Sequence, residues 1–286
     1  MSRVLRWASY GIATIAVLIL MAMLAVWIIS SQKIHASVEP RAETLATPTP
    51  AQVADAERQS RILGCFSCHG EGLRGKKMFD QPGVGTVWAP NLTLVAAKAN
   101  DQQLARAIRQ GVGVDGRSLF IMPSENFQNL SDQQVAAIIA MVRSLPRGGA
   151  SSPATEYGPL GRLGIAMGKF ESAPALVAEF ATREPIRLGE KYEAGRRLAS
   201  LYCSGCHNAD LTGKPIGPSE VSPDLAIVGA YDPPAFQKLL RTGVPAGGQK
   251  LGMMGATAKS DLSHLNDAEI DQLYAYLHAR SDKVSR

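Results

Sequence analysis

The sequence predicts a largely helical protein, in which one membrane-spanning helix precedes two small helical domains that repeat one another. Three observations carry this. Residues Tyr10–Ile29, YGIATIAVLILMAMLAVWII, hold no charge. Two later stretches run through the same landmarks in the same order. Each stretch closes on an amphipathic helix opened by a capping residue, Ser131 before Asp132 and Asn266 before Asp267.

At about 1.5 Å per residue the uncharged run covers roughly 30 Å, the thickness of a bilayer's hydrocarbon core. Arg3 and Arg6 precede it, and Trp7, Tyr10 and Trp27 lie near its two ends. That pattern keeps the N-terminus cytoplasmic and translocates everything from Ser31 onward. The rival is a signal peptide cut near Ala36, but the apolar region of such a peptide usually spans only about 7–15 residues. Residues 1–30 are therefore read as an uncleaved transmembrane anchor. Residues 31–51 follow as an extended tether, polar and holding Pro40, Pro48 and Pro50.

The chain of 286 residues has room for two ordinary domains besides these. Its formal charge of +5 is spread without a basic run, so it indicates no nucleic-acid partner. The first domain is placed at 52–148. A helical lead-in from about Gln52 ends in Cys65-Phe66-Ser67-Cys68-His69, and a glycine-rich loop follows. Then come Pro90-Asn91-Leu92, the helical DQQLARAIRQGV, Gly116–Met122 and the closing helix LSDQQVAAIIAMVRSL. The second domain, 187–286, repeats the order with KYEAGRRLASLY, Cys203-Ser204-Gly205-Cys206-His207 and Pro223-Asp224-Leu225. PPAFQKLLRTGV, Gly248–Met254 and LNDAEIDQLYAYLHAR complete it. Between the two lies a Pro/Gly/Ser-rich linker, 149–186, in which ALVAEFA forms a helical turn or two, and which is expected to pack across both lobes.

All 4 cysteines belong to the two C-x-x-C-H patterns. In an oxidising compartment free thiols need a reason, and C-x-x-C-H is the attachment signature of c-type haem. Thiols at this spacing form thioethers to the two vinyl groups of one porphyrin, and the adjacent histidine reaches the iron. A zinc ribbon would place its two C-x-x-C units about 15–20 residues apart, whereas these lie in separate repeats. A thioredoxin-like redox pair would need a βαβ context, and none is visible. The reading is two covalently bound haem c groups. Cys65, Cys68, Cys203 and Cys206 attach them, and His69 and His207 ligate the irons.

For the sixth iron ligand the first repeat offers Met78, Met122 and Met141. Met141 falls on the apolar face of the closing helix, and Met78 lies too close to His69 to wrap around a porphyrin. Met122 precedes Pro123, which holds its loop extended, and is the choice. In the second repeat Met253 and Met254 are the methionines that follow the haem motif. Laying Gly116–Met122 over Gly248–Met254 matches Met122 with Met254, which is preferred; Met253, His264 and His278 remain as alternatives, His278 reading better as a surface residue.

Both repeats resemble class I cytochrome c domains, and the whole is similar to membrane-anchored dihaem cytochromes c of bacterial respiratory chains and periplasmic dehydrogenases. The resemblance implies an all-α fold, with the first and last helices of each domain crossing. It puts Pro90 and Pro223 in the loop whose carbonyl orients the haem-bound histidine. Gly195 then matches the small residue at the crossing, against Tyr276-Leu277; the first repeat departs from this, with Glu57 against Met141-Val142. Location in a bacterial inner membrane follows, single-pass, with both haem domains on the periplasmic side. Electron relay is the expected function, between a dehydrogenase or quinol-oxidising donor and an oxidase or soluble cytochrome acceptor. The alternative is a dihaem redox enzyme such as a peroxidase, which needs one open iron; a cysteine-ligated sulfur-oxidising cytochrome is disfavoured because no cysteine is left over.

Overall fold

The uncharged run folds as α1 (Arg3–Ile34), a helix of 32 residues long and apolar enough to cross a membrane. The computed structural model describes residues 3–217 and 220–284, so the outermost residues of the expected anchor and second domain lie outside the described residues. The helix continues beyond residue 30 because its last turn finds partners in the linker. Arg162 donates to the hydroxyls of Ser30 and Ser31 at 3.1 and 3.0 Å, and Lys33 Nζ donates to the Ile165 carbonyl at 3.0 Å.

The segment after α1 is extended, as its prolines predict, yet it is strapped to the first domain. Val38 N–H donates to the Gly116 carbonyl at 3.1 Å, and Arg109 Nε donates to Glu43 at 2.7 Å. Leu45 packs on the first core. Burying Glu43 beside Arg109 is what converts a tether into a strap.

The lead-in helix α2 (Pro50–Ile62) starts ahead of Gln52. Thr49 caps it: its hydroxyl accepts from Gln52 N–H, the Gln52 side chain accepts from Thr49 N–H, and Pro50 takes the first helical position. The attachment turn α3 (Cys65–His69) follows directly. Where a glycine-rich loop was expected, β1 (Lys76–Gln81) and β2 (Gly85–Ala89) form an antiparallel hairpin, bulged between Lys77 and Phe79. The remaining helices are α4 (Leu92–Ala96), α5 (Asp101–Gln110), α6 (Ser124–Phe127) and α7 (Asp132–Ser144). Ser131 caps α7 as its position predicts.

The linker is structured throughout its middle. β3 (Glu156–Tyr157) adds to β2, and α8 (Pro159–Ala166) and α9 (Ala173–Phe180) follow. It spans both lobes as expected: α9 packs on α6, and the Ile186 carbonyl accepts from Tyr276 Oη at 3.0 Å. The second domain comprises α10 (Glu193–Tyr202), α11 (Ser204–His207), β4 (Lys214–Pro215) and β5 (Val221–Ser222). It continues through α12 (Pro233–Thr242), α13 (Met253–Ser260) and α14 (Asp267–Val284). The scaffold is therefore helical as predicted, and the two small sheets are additions that line the loop after each attachment turn.

In the second domain α10 crosses α14 with Gly195 at the contact. A Cβ there would strike the Gln272 carbonyl oxygen and lie 2.7 Å from Tyr276 Cβ. In the first domain Glu57 is exposed and pairs with Arg61, while Ala56, 1 % exposed, fills the core shared with Ala137 and Met141. The small residue of that crossing sits one place earlier than in the second repeat. Inside a helix Gly→Ala ordinarily stabilises by about 1 kcal/mol. Gly195→Ala is expected to do the reverse, costing about 1–3 kcal/mol through overpacking against backbone. A denaturant midpoint that rises instead would show the crossing to be looser than this.

The lobes interlock. Ile62 of α2 belongs to the second core and Leu201 of α10 to the first. Arg58 forks across the seam, donating to Glu269 at 2.7 and 3.0 Å and to the His264 carbonyl at 3.0 Å. Burial pushes the Glu269 carboxyl up, but the hydrogen bonds and charge of Arg58, with hydrogen bonds to Asn266 and Gln59, together hold it below its ordinary value.

Candidate haem centres

Each attachment turn is a single helical turn at the end of a longer helix, which sets both cysteines and the histidine on one short stretch of rigid backbone. The four thiols are free of disulfides. Burial, and next the neighbouring thiol of the same turn, push Cys65 and Cys203 up to about 12, so both thiols are neutral. No group of three or more His, Cys, Asp or Glu able to hold a metal ion occurs among the described residues.

The histidines are held alike in the two repeats. His69 Nδ1 lies 2.8 Å from the Pro90 carbonyl oxygen, and His207 Nδ1 lies 2.8 Å from that of Pro223. A carbonyl only accepts, so Nδ1 carries the proton and Nε2 keeps its lone pair for a metal. Burial lowers both imidazole pKa values, which favours the neutral ligating form. The carbonyl's own position is fixed by the next residue. Asn91 accepts from Thr93 N–H at 3.1 Å, and Asp224 accepts from Ala226 N–H at 2.7 Å, the same turn with different side chains. Asn91 further donates to the Gly148 carbonyl at 2.8 Å, and Asp224 accepts from Arg280 at 2.6 Å. Asn91 is 2 % exposed, its side chain wholly engaged in these hydrogen bonds.

Two residues of this arrangement escaped the sequence reading. Leu73 and Leu211 stand at equivalent places after the two histidines, both 0 % exposed and both in the left-handed region, at φ 55° and 67°. A leucine there costs roughly 1–2 kcal/mol, so packing must impose it. The chain then turns back, and Gly75 and Gly213 each donate to the carbonyl of the histidine at 2.8 Å. The positive φ of leucine leaves no mark in a single sequence, but the matching spacing from His69 and His207 was readable.

Of the methionines, Met122 is half-buried against the first core and Met254 half-buried against the second. Met253 is 42 % exposed, Met141 is in the core as predicted, and Met78 lies on the hairpin strand β1. His264 is in a short turn (Leu262–His264), and His278 lies on the surface of α14 beside Asp282 at 3.7 Å. Trp88 stands under Lys77 Nζ at 5.6 Å on the hairpin.

The two attachment turns face the seam, and each is gripped by the other domain. Ser67 donates to Asp261, and Ser204 donates to Asn126 Oδ1 at 3.0 Å. A carboxylate stands at each contact, half-buried at Asp261 and buried at Glu125. Asp261 lies near Cys65 and Cys68, and Glu125 near Cys206; burial raises both above the usual carboxylate range.

The donor set fits c-type haem: two unbridged thiols, one imidazole with a free Nε2 and one thioether on the same core, twice over. No curated protein matches the chain. The family model described as Cytochrome c matches it in two separate regions, 46–146 and 192–281, each holding one complete attachment turn. With both halves of its duplication matched across most of its length, the chain belongs to the cytochrome c family.

Proposed function

We propose that the chain is a membrane-anchored dihaem electron carrier, with one haem attached through Cys65 and Cys68 and the other through Cys203 and Cys206. His69 and Met122 would ligate the first iron, and His207 and Met254 the second. The observation that carries this is the pairing, in both repeats, of a histidine locked by a proline carbonyl with a methionine on the same core. Bound haem supplies a one-electron ferric/ferrous couple. The protein's residues hold each imidazole neutral and oriented, would supply a thioether from Met122 or Met254 as the second iron ligand, and tie each attachment turn to the other domain through Ser67–Asp261 and Ser204–Asn126.

The single apolar helix supports a single-pass anchor in a bacterial inner membrane, with both domains on the periplasmic side. Donors would be a dehydrogenase or a quinol-oxidising complex, and acceptors an oxidase or a soluble cytochrome. With Met122 and Met254 as ligands neither iron would offer a position for substrate, which separates this reading from a peroxidase. The reduced wild-type protein is expected to bind carbon monoxide poorly at neutral pH and to show no appreciable peroxide turnover. Fast carbon monoxide binding together with peroxide turnover would overturn the carrier reading in favour of a haem enzyme.

A further inference from the structure

Residues 159–170, α8 and the turn after it, carry an apolar face that the protein leaves uncovered. Leu160, Leu163, Met167 and Phe170 are 58 %, 39 %, 64 % and 52 % exposed. Leu160, Leu163 and Met167, three and four residues apart, share one side of the helix and its cap, and the Phe170 ring folds back over Gly164 on that side. The opposite side is buried, with Gly161 under the Val84 carbonyl and Ile165 2 % exposed. Such a stripe on a charged-rimmed segment marks an interaction surface rather than a scatter of surface residues.

The position of this stripe identifies what covers it. α8 packs on α1 where the uncharged run ends. Arg162 lies over the Trp27 ring at 6.0 Å and donates to Ser30 and Ser31, and Lys33 Nζ donates to the carbonyls of Ile165 and Ala166 at 3.0 and 3.3 Å. A residue pair such as Trp27 and Arg162 belongs at the level of the lipid headgroups when α1 spans the bilayer. The apolar face of α8 thus lies beside α1 at the level where the uncharged run ends, and exposed Lys169 stands in its rim for phosphate groups.

We propose that residues 159–170 lie in the outer membrane interface, with Leu160, Leu163, Met167 and Phe170 in the acyl–headgroup boundary, as a seat that fixes the first domain on the bilayer. The proposal rests on the reading of α1 as a membrane span. The seat is rigidly joined to the hairpin: Leu160 N–H donates to the Gly83 carbonyl at 2.8 Å and Gly158 N–H to the Val84 carbonyl at 2.9 Å. It therefore holds the β1–β2 edge of the first domain toward the membrane and denies the head the free reach that an open tether would allow.

The test uses the full haem-loaded chain, one per nanodisc of phosphatidylcholine and phosphatidylglycerol, so that no second protein is present. Every native cysteine is taken up by a haem, and an introduced one is then the single reactive thiol. Met167→Cys and Phe170→Cys are compared with Lys238→Cys, at an exposed position of α12, and Val17→Cys, in the middle of α1. A charged maleimide needs a hydrated thiolate, so the two seat positions are expected to react about 10-fold or more slowly than Lys238→Cys, with Val17→Cys unreactive. Seat thiols as fast as Lys238→Cys, with Val17→Cys still protected, would overturn the seat and leave the anchor standing. Fast reaction at Val17→Cys would overturn the span, and the seat with it.

Discussion

Replacing Cys203 and Cys206 together by serine is expected to halve the covalent haem, from two per chain to about one, by pyridine haemochrome assay. The two thioethers of a turn act on one porphyrin, so removing both releases that group and leaves the first turn's Cys65 and Cys68 untouched. Acid-acetone should extract none of the haem that remains. The second domain is also expected to lose much of its stability, because a small domain whose core includes Leu211, Phe236, Leu262, Leu273 and Tyr276 would lose the large apolar group it folds around. The corresponding pair Cys65→Ser and Cys68→Ser should give the reciprocal loss. A count that stays at two, or haem that extracts from the wild-type protein, would sink the attachment assignment.

Met254→Ala is expected to open the second iron, raising carbon monoxide binding by the reduced protein from little to about one equivalent per chain. The oxidised form should lose about half of its weak long-wavelength sulfur-to-iron band. Met254 is half-buried on the second core, whereas Met253 is 42 % exposed and its N–H is committed to Glu220 Oε1 at 2.9 Å. Met253→Ala should accordingly leave the spectrum nearly unchanged, and Met122→Ala should open the first iron alone. If Met253→Ala opened the second site instead, the carrier reading would stand with its ligand moved by one residue. A wild-type spectrum of two bis-histidine centres would remove both methionines from the assignment.

Legibility differed with the range of the interaction. Ser131 and Asn266 announced their helices because a cap is satisfied within one turn, and both cap as read. Thr49, with Pro50 and Gln52 after it, carried the same signal and was passed over in favour of a start at Gln52. The hairpin after His69 was hidden because its glycines read as loop, and the short alternation of GTVWA was the one hint of a strand. The crossing at Gly195 followed from the resemblance to class I cytochrome c domains, whereas its counterpart Ala56 did not, since a shift of one residue along α2 depends on how the two helices are rotated.

What the sequence determined by itself was chemical and local: two attachment turns, their histidines, an uncharged span of membrane length and the repeat that relates the domains. These depend on residue type and short spacing, which survive in one dimension. What the tertiary structure decided was every relation between distant stretches. It strapped residues 37–45 onto the first domain through Glu43 and Arg109, and clamped α1 to the linker through Lys33 and Arg162. It turned the attachment turns toward one seam, where Asp261 meets Ser67 and Asn126 meets Ser204. Such pairings are between single polar groups whose partners leave no periodic pattern, and burial alone makes them decisive, because a charge or hydroxyl taken from water must find its partner wherever the fold brings one.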